Sequence, residues 1–179
     1  QYRATFISNL VNFLRTRGFD GIDIDWEPLQ EYQASRYEQF ITELRAALDT
    51  ISPRPLLTAA TGVCTYCGSS YDWLPAMFAR LQNKFDQINL MTYDMSGPWG
   101  GWVVWHNSPV YDGGLRFSGT GELVPSADSM VDKFAAAGVP KSKLGIGMDW
   151  YGYIWGGVNS PRVDVSAVTS YCCGGGKPY

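Results

Sequence analysis

The residues of this chain best suited to chemistry are the carboxylates Asp23, Asp25 and Glu27 in the run Asp20-Gly21-Ile22-Asp23-Ile24-Asp25-Trp26-Glu27. Acids alternating with Ile, Ile and Trp have the period of a half-covered strand, whose successive side chains point to opposite faces. The acids then form one row, and Ile22, Ile24 and Trp26 form the other. Alternate residues of a strand lie roughly 6.5 to 7 Å apart along its axis, so the carboxyl groups are neighbours in a space partly shielded from water. Like-charge repulsion and lost hydration both raise carboxylate pKa values, and one member of the row is expected to hold its proton near neutral pH. That is what a general acid requires. Glu27 stands last in the row, just before Pro28, at the carboxyl end of the strand. A solvated strand edge with alternating acids is the non-catalytic reading of the same pattern.

Helices and further strands must position this row. Phe6, Leu10, Phe13 and Leu14 follow a helical period that Gly18 would end, and residues 19–27 then read as a strand. A second amphipathic run carries Tyr37, Phe40, Ile41, Leu44, Ala47, Leu48 and Ile51 on one face, and Pro53 and Pro55 close it. Residues 56–60 read as a strand, Asp72 as the cap of a helix bearing Leu74, Met77, Phe78 and Leu81, and residues 88–91 as a third strand. The stretch 93–125 has no lasting periodicity and reads as a long loop or small excursion, a kind of segment that is usually functional. Ser126 caps a last helix with Ala127, Met130, Val131 and Phe134 on its buried side and Gly138 at its end, and residues 144–148 form a fourth strand.

Alternating helix and strand is the pattern of parallel βα units, which an open doubly wound sheet and a closed barrel both satisfy. No strand is followed by G-x-G-x-x-G or a P-loop, so the barrel is preferred. A (β/α)8 TIM barrel takes about 250 residues and keeps its chemistry at the carboxyl ends of its strands. With about four βα units legible in 179 residues, the expectation is an α/β chain forming a partial barrel. It would be one domain over residues 1–179 that starts on a helix and stops before the barrel closes.

A net charge of −3 without long like-charge runs gives no electrostatic footprint for nucleic acid or an anionic membrane, and no apolar stretch is long enough to span a bilayer. The 7 Trp, 11 Tyr and 8 Phe are partly clustered in Gly-rich segments, where flat rings suit the apolar faces of sugars as well as an ordinary core. Cys64, Cys67, Cys172 and Cys173 lack the spacing and the histidines of a zinc site and read as disulfides of an oxidising compartment. With His106 as the single histidine, no Ser/His/Asp triad or multi-histidine metal site is expected, and no cofactor is implied.

The run from Asp20 to Glu27 resembles D-G-x-D-x-D-W-E, the signature of family 18 glycoside hydrolases on a strand of their (β/α)8 barrel. Met91-Thr92-Tyr93-Asp94 resembles the family's M-x-Y-D motif, Gly97-Pro98-Trp99 follows it as in chitinases with an aromatic aglycone site, and Trp150-Tyr151-Gly152-Tyr153 is similar to its Y-G-R segment. The resemblance implies a partial catalytic domain that cleaves β-1,4-N-acetylglucosaminide bonds of chitin or chitooligosaccharides, with retention and with the substrate's acetamido group as nucleophile. Glu27 would be the acid, Asp25 would orient the acetamido N–H, Asp23 would share a proton beneath it, and Tyr93 would donate to the acetamido oxygen. Met91 and Asp94 would line the cleft, Trp99 would stack on a sugar beyond the cleavage point, and Tyr151 would bind sugar near it. It implies a secreted or lysosomal protein. Tyr153 stands where many members carry Arg, as in the di-N-acetylchitobiase branch. An endo-N-acetylglucosaminidase on N-glycans and a non-catalytic chitin-binding lectin are the alternatives. The family's upstream S-x-G-G strand and its final Trp-bearing strand have no counterpart in this sequence.

Overall fold

The computed structural model describes residues 2–64 and 68–173, of which 170–173 are described by backbone alone. Helix α1 (Arg3–Arg17) leads into strand β1 (Gly21–Asp25), followed by α2 (Ala34–Leu48), β2 (Leu56–Thr61), α3 (Trp73–Leu81), β3 (Gln87–Leu90), α4 (Ala127–Ala136) and β4 (Leu144–Ile146). These four strands form one parallel sheet in the order β1-β2-β3-β4. Each crossover therefore steps one place in the same direction, and right-handed crossovers then put every helix on one face. Doubly wound sheets instead reverse direction at a switch point. The winding is that of a barrel wall, in agreement with the sequence expectation.

Register makes the two faces chemically unlike. Ile24 lies beside Ala59, Ala59 beside Ile88 and Ile88 beside Leu144, and these side chains face the helices; Ile24, Ala59 and Ile88 are buried. One residue away, Asp23 pairs with Thr58 and Thr58 with Gln87, and this row faces the opposite side. The helical side is filled by Tyr37, Phe40, Ile41, Leu44 and Leu48 of α2, by Leu74, Met77, Phe78 and Leu81 of α3, and by Met130 and Phe134 of α4. The Phe78 ring is the hinge of this core, 5.9 Å from Tyr37 and 5.8 Å from both Phe85 and Phe134.

Several boundaries differ from the sequence reading. β1 stops at Asp25 because pairing with β2 ends at Ala60, so Glu27 lies just past the strand, before a cis bond to Pro28. β4 likewise ends at Ile146. Helix α1 ends on Gly18 at φ 70 as expected, yet Phe6 and Phe13 are half exposed and Ile7 and Leu14 are the buried pair. α1 packs on α2 at the β1 end of the sheet, and Phe6 and Phe13 sit on its flank, 5.8 Å from Phe40 and Phe19 respectively. An unanticipated antiparallel pair, β5 (Tyr153–Gly156) and β6 (Ser170–Cys173), follows the parallel sheet. The stretch 93–125 is a small excursion with its own core of Val103, Trp105, Phe117 and Val124.

Two residues read as helix caps behave differently. Ser126 is extended (φ −147) and accepts the Ser129 N–H, and the Ser129 hydroxyl accepts the Ser126 N–H in return. Asp72 has helical dihedrals that carry its carboxylate away from the α3 N–H groups, and it pairs with Lys133 of α4 at 3.0 Å instead. Replacing Ser126 by Ala is therefore expected to cost about 1 kcal/mol in urea denaturation regardless of salt. Asp72→Ala should cost less than about 1 kcal/mol, and that cost should fade in high salt.

Candidate functional site

The site grows from the carboxyl end of β1. Asp23 accepts the Thr58 hydroxyl across the β1–β2 pair, and Asp25 stands one pleat further on. All three acids are exposed, whereas the sequence implied a partly shielded row. Among the described residues β1 is the outermost strand of the sheet. Glu27 nevertheless holds its proton more tightly than an ordinary glutamate. Partial burial is the largest cause, followed by the charge of Asp25, a hydrogen bond with Asp25 and the charge of Asp94.

The facing wall comes from the segment after β3. Tyr93 lies near Glu27, and desolvation first, then the charges of Glu27, Asp25 and Asp94, keep its hydroxyl protonated well into the alkaline range. Gly147, just past β4, makes room for this ring, since a Cβ there would come within 2.7 Å of Tyr93 and 2.9 Å of the Leu90 carbonyl. Asp94 has a left-handed backbone (φ 55) and accepts the Tyr153 hydroxyl at 2.6 Å. Burial first, and then the nearby Asp94 carboxylate, push the Tyr151 hydroxyl up to about 12.

Two clefts of about 260 Å³ each meet at Glu27. Tyr93, Asp94, Met95 and Trp102 line one, Trp26, Pro28, Leu29 and Tyr71 line the other, and Met91 and Gly62 belong to both. Of the residues singled out from sequence, the clefts gather Glu27, Met91, Tyr93 and Asp94, and Tyr151 joins them through Asp94. Asp23 and Asp25 line a groove of about 470 Å³ that runs along the free edge of β1 to Glu27. Trp99 does not line the clefts. It stands edge-on to Trp102 at 4.6 Å, and a Cβ on Gly97 would strike its ring at 2.5 Å. Trp102 lines one of the clefts and was legible only as one more ring of the Gly-rich run. Asn107 was missed entirely, because nothing in the sequence ties it to Asp94. Cys64 stands at the rim of both clefts, and Cys67 and the Cys172 and Cys173 side chains, with which the sequence would pair it, lie outside the described residues. Among the described residues no cluster of three or more His, Cys, Asp or Glu could hold a metal ion.

A partial βα barrel wall with a proton-holding carboxyl group and tyrosine hydroxyls at the carboxyl ends of its strands defines the class: a barrel protein with its polar site where such folds keep their chemistry. A sequence profile of glycosyl hydrolases family 18 matches residues 1–172, and the chain belongs to that family. It is 37% identical over 166 residues to a probable endochitinase of Caenorhabditis elegans, covering 86% of this chain and 25% of that one. It is 31% identical over 176 residues to chitinase A1 of Niallia circulans, covering 87% of this chain and 24% of that one. Among solved structures, the Group IV chitinase of Ostrinia furnacalis, also determined in complex with allosamidin, superposes with a TM-score of 0.72 at 27% identity, over 91% of this chain and 45% of that one. The chain thus spans about a quarter of these curated relatives and under half of the solved one.

The raised proton affinity of Glu27 has a consequence for stability. A carboxyl group that binds its proton more tightly when folded contributes stability below its ordinary value of 4.5, and that contribution is lost as pH rises through the higher folded value. Ionised Glu27 therefore costs stability at pH 7. Glu27→Gln is expected to raise the melting temperature at pH 7 relative to the unsubstituted chain, with the difference shrinking below about pH 4; thermal unfolding from pH 3 to 8 measures it.

Proposed function

We propose that residues 1–179 are part of the catalytic domain of a chitinase-type glycosidase. It hydrolyses β-1,4-N-acetylglucosaminide bonds of chitin or chitooligosaccharides with retention of configuration. The observation that carries this reading is the place of Glu27 at the meeting point of two clefts, where partial burial and the neighbouring Asp25 raise its affinity for a proton. A sugar chain laid through both clefts would bring its glycosidic oxygen to the only point they share with an acid. The names of the relatives above, and the allosamidin bound to the insect chitinase, support the substrate class.

Glu27 gives its proton to the glycosidic oxygen as the bond from that oxygen to the anomeric carbon breaks. The acetamido carbonyl oxygen of the same sugar closes on the anomeric carbon and forms an oxazolinium ring, so no protein nucleophile is needed. Asp25 accepts the acetamido N–H and offsets the ring's positive charge, with Asp23 beneath it held by the Thr58 hydroxyl. Tyr93, protonated across the working range, donates to the acetamido oxygen and steadies it for attack. Glu27, now a carboxylate, takes a proton from water as the water oxygen bonds to the anomeric carbon and the ring opens. Met91 and Asp94 shape the cleft, Tyr151 contacts sugar beside it, and Trp99, backed by Trp102, offers a ring further along.

Tyr153 favours short substrates as a second reading. Where many family members carry Arg, this chain has a hydroxyl committed to Asp94, so no cation reaches into the cleft there, as in the chitobiase branch. Secretion or a lysosomal location is part of the proposal, and disulfide bonding of Cys64 goes with it.

Glu27→Gln is expected to lower turnover of chitotetraose about 10²- to 10⁴-fold while leaving its binding in place. Undiminished turnover would sink the assignment of the acid. Binding without turnover in the unsubstituted chain would point to a lectin, and faster cleavage of a high-mannose glycopeptide than of chitotetraose would move the substrate to N-glycans. Thiol titration of the unfolded chain without reductant should find fewer than the 4 cysteines of the sequence free; four free thiols would remove the oxidising compartment.

A further inference from the structure

Between β3 and α4 the chain leaves the sheet and returns, and residues 107–110 stitch the return to both ends of the excursion. The Ser108 hydroxyl donates to the Thr92 carbonyl, and the Asn107 carbonyl accepts the Met95 N–H at 2.9 Å. The Pro109 and Val110 carbonyls accept the N–H groups of Ala127 and Asp128 at 2.8 and 3.0 Å. The Asn107 side chain adds a third direction. Its Oδ1 accepts the Asp94 N–H at 3.0 Å, while its Nδ2 donates to the Asp149 carboxylate and to the Tyr151 carbonyl at 3.3 Å. The partners fix the orientation of the amide, because a backbone N–H only donates and a carboxylate or carbonyl only accepts. One side chain therefore joins the turn after β3, the returning strap and the segment after β4.

The residue it holds is in an uncommon state. Asp94 has φ 55, a left-handed backbone that a side-chain-bearing residue keeps only when its surroundings require it. Its carboxylate accepts the Tyr153 hydroxyl, and its charge reaches Glu27, Tyr93 and Tyr151.

We propose that Asn107 is a positioning residue of this site: by accepting the Asp94 N–H and anchoring to Asp149, it fixes the left-handed turn that keeps the Asp94 carboxylate beside Glu27 and Tyr93. Its effect on turnover rests on the function proposed above; its effect on the geometry does not. The groups facing Glu27 are Asp25 from β1 and Tyr93 and Asp94 from the segment after β3. Those facing Asp94 are Tyr151 and Tyr153, with Asp149 behind Asn107. When Asp94 swings free its negative charge withdraws, and Glu27 binds its proton less tightly.

The test is a carboxyl ¹³C NMR titration of Glu27 in the full chain, in Asn107→Leu and in Ser108→Ala, which breaks a neighbouring bond of the same strap without touching Asp94. Asn107→Leu is expected to move the Glu27 titration to lower pH, and Ser108→Ala to leave it in place. With chitotetraose, Asn107→Leu should lower kcat about tenfold with KM within about twofold, and the alkaline limb of the pH–rate profile should move to lower pH. An unmoved Glu27 titration in Asn107→Leu, or the same displacement in both variants, overturns the proposal. Absence of turnover in the unsubstituted chain would count against the proposed function alone, since the titration still decides the role of Asn107. Should Asn107→Leu not fold, hydrogen exchange of the unsubstituted chain decides: the Asp94 amide is expected to exchange at least about tenfold slower than an unstructured one, and exchange at the unstructured rate overturns the proposal.

Discussion

The structure depends on a phase relation: the two-residue period of β1 is locked to the period of β2 and β3 by parallel pairing. With Ile24 beside Ala59 and Ala59 beside Ile88, the apolar side chains of three strands meet the helices in one layer. The same register obliges Asp23, Thr58 and Gln87 to share the other face. A slip of one residue would turn carboxylates into a core that contains Phe78, Phe85 and Phe134 and bring isoleucines to the cleft. Burying unpaired carboxylates there costs several kcal/mol each. The hydrophobic layer thus does more than hold helices to the sheet, since it selects a register that keeps the row of acids on the face away from them.

Lined-up acids alone do not make a proton-holding group. Asp23, Asp25 and Glu27 are all exposed, and what separates Glu27 from an ordinary surface glutamate is first its partial burial and then its position one step beyond the strand. There it gains Asp25 below it and Asp94 across from it. Two anions from different elements converge on one carboxyl group, and protonation is the response that relieves both. Asp94 is kept in that unfavourable company by neutral donors. The Tyr153 hydroxyl donates to its carboxylate without cancelling its charge, whereas an arginine at position 153 would have offset it.

How much of this was legible in the sequence follows from the range of each interaction. The acidic row, the three amphipathic faces of α2, α3 and α4, and the Ser126 cap depend on residues within a few positions of one another, and the sequence displayed them. The motif at Met91 to Asp94 was visible as well, through its resemblance to the family. Asp72 misled because a cap is a matter of backbone angle as much as residue type, and Lys133 of α4 drew its carboxylate elsewhere. Phe6 and Phe13 read as a core stripe because periodicity cannot tell which side of a helix its neighbours will occupy. Trp102 and Asn107 were hidden for another reason. Their roles arise where an excursion of more than thirty residues folds back on the strand it left, and no local pattern records such a meeting.

The excursion supplies one wall of the cleft. Val103, Trp105, Phe117 and Val124 give the segment a small core, so it can stand above the sheet without drawing residues from the main one. An antiparallel bridge from Val103 to Asp164 ties that core to the chain beyond β5. Since the segment after β4 is held through Asn107 and the one after β5 through this bridge, the excursion is braced from two directions. A turn strained at Asp94 can persist only on such a support: left-handed backbone at a non-glycine residue is stable when the atoms around it leave no lower alternative. The geometry of the acid therefore depends on β1 for its row and on the excursion for the second negative charge beside it, that of Asp94.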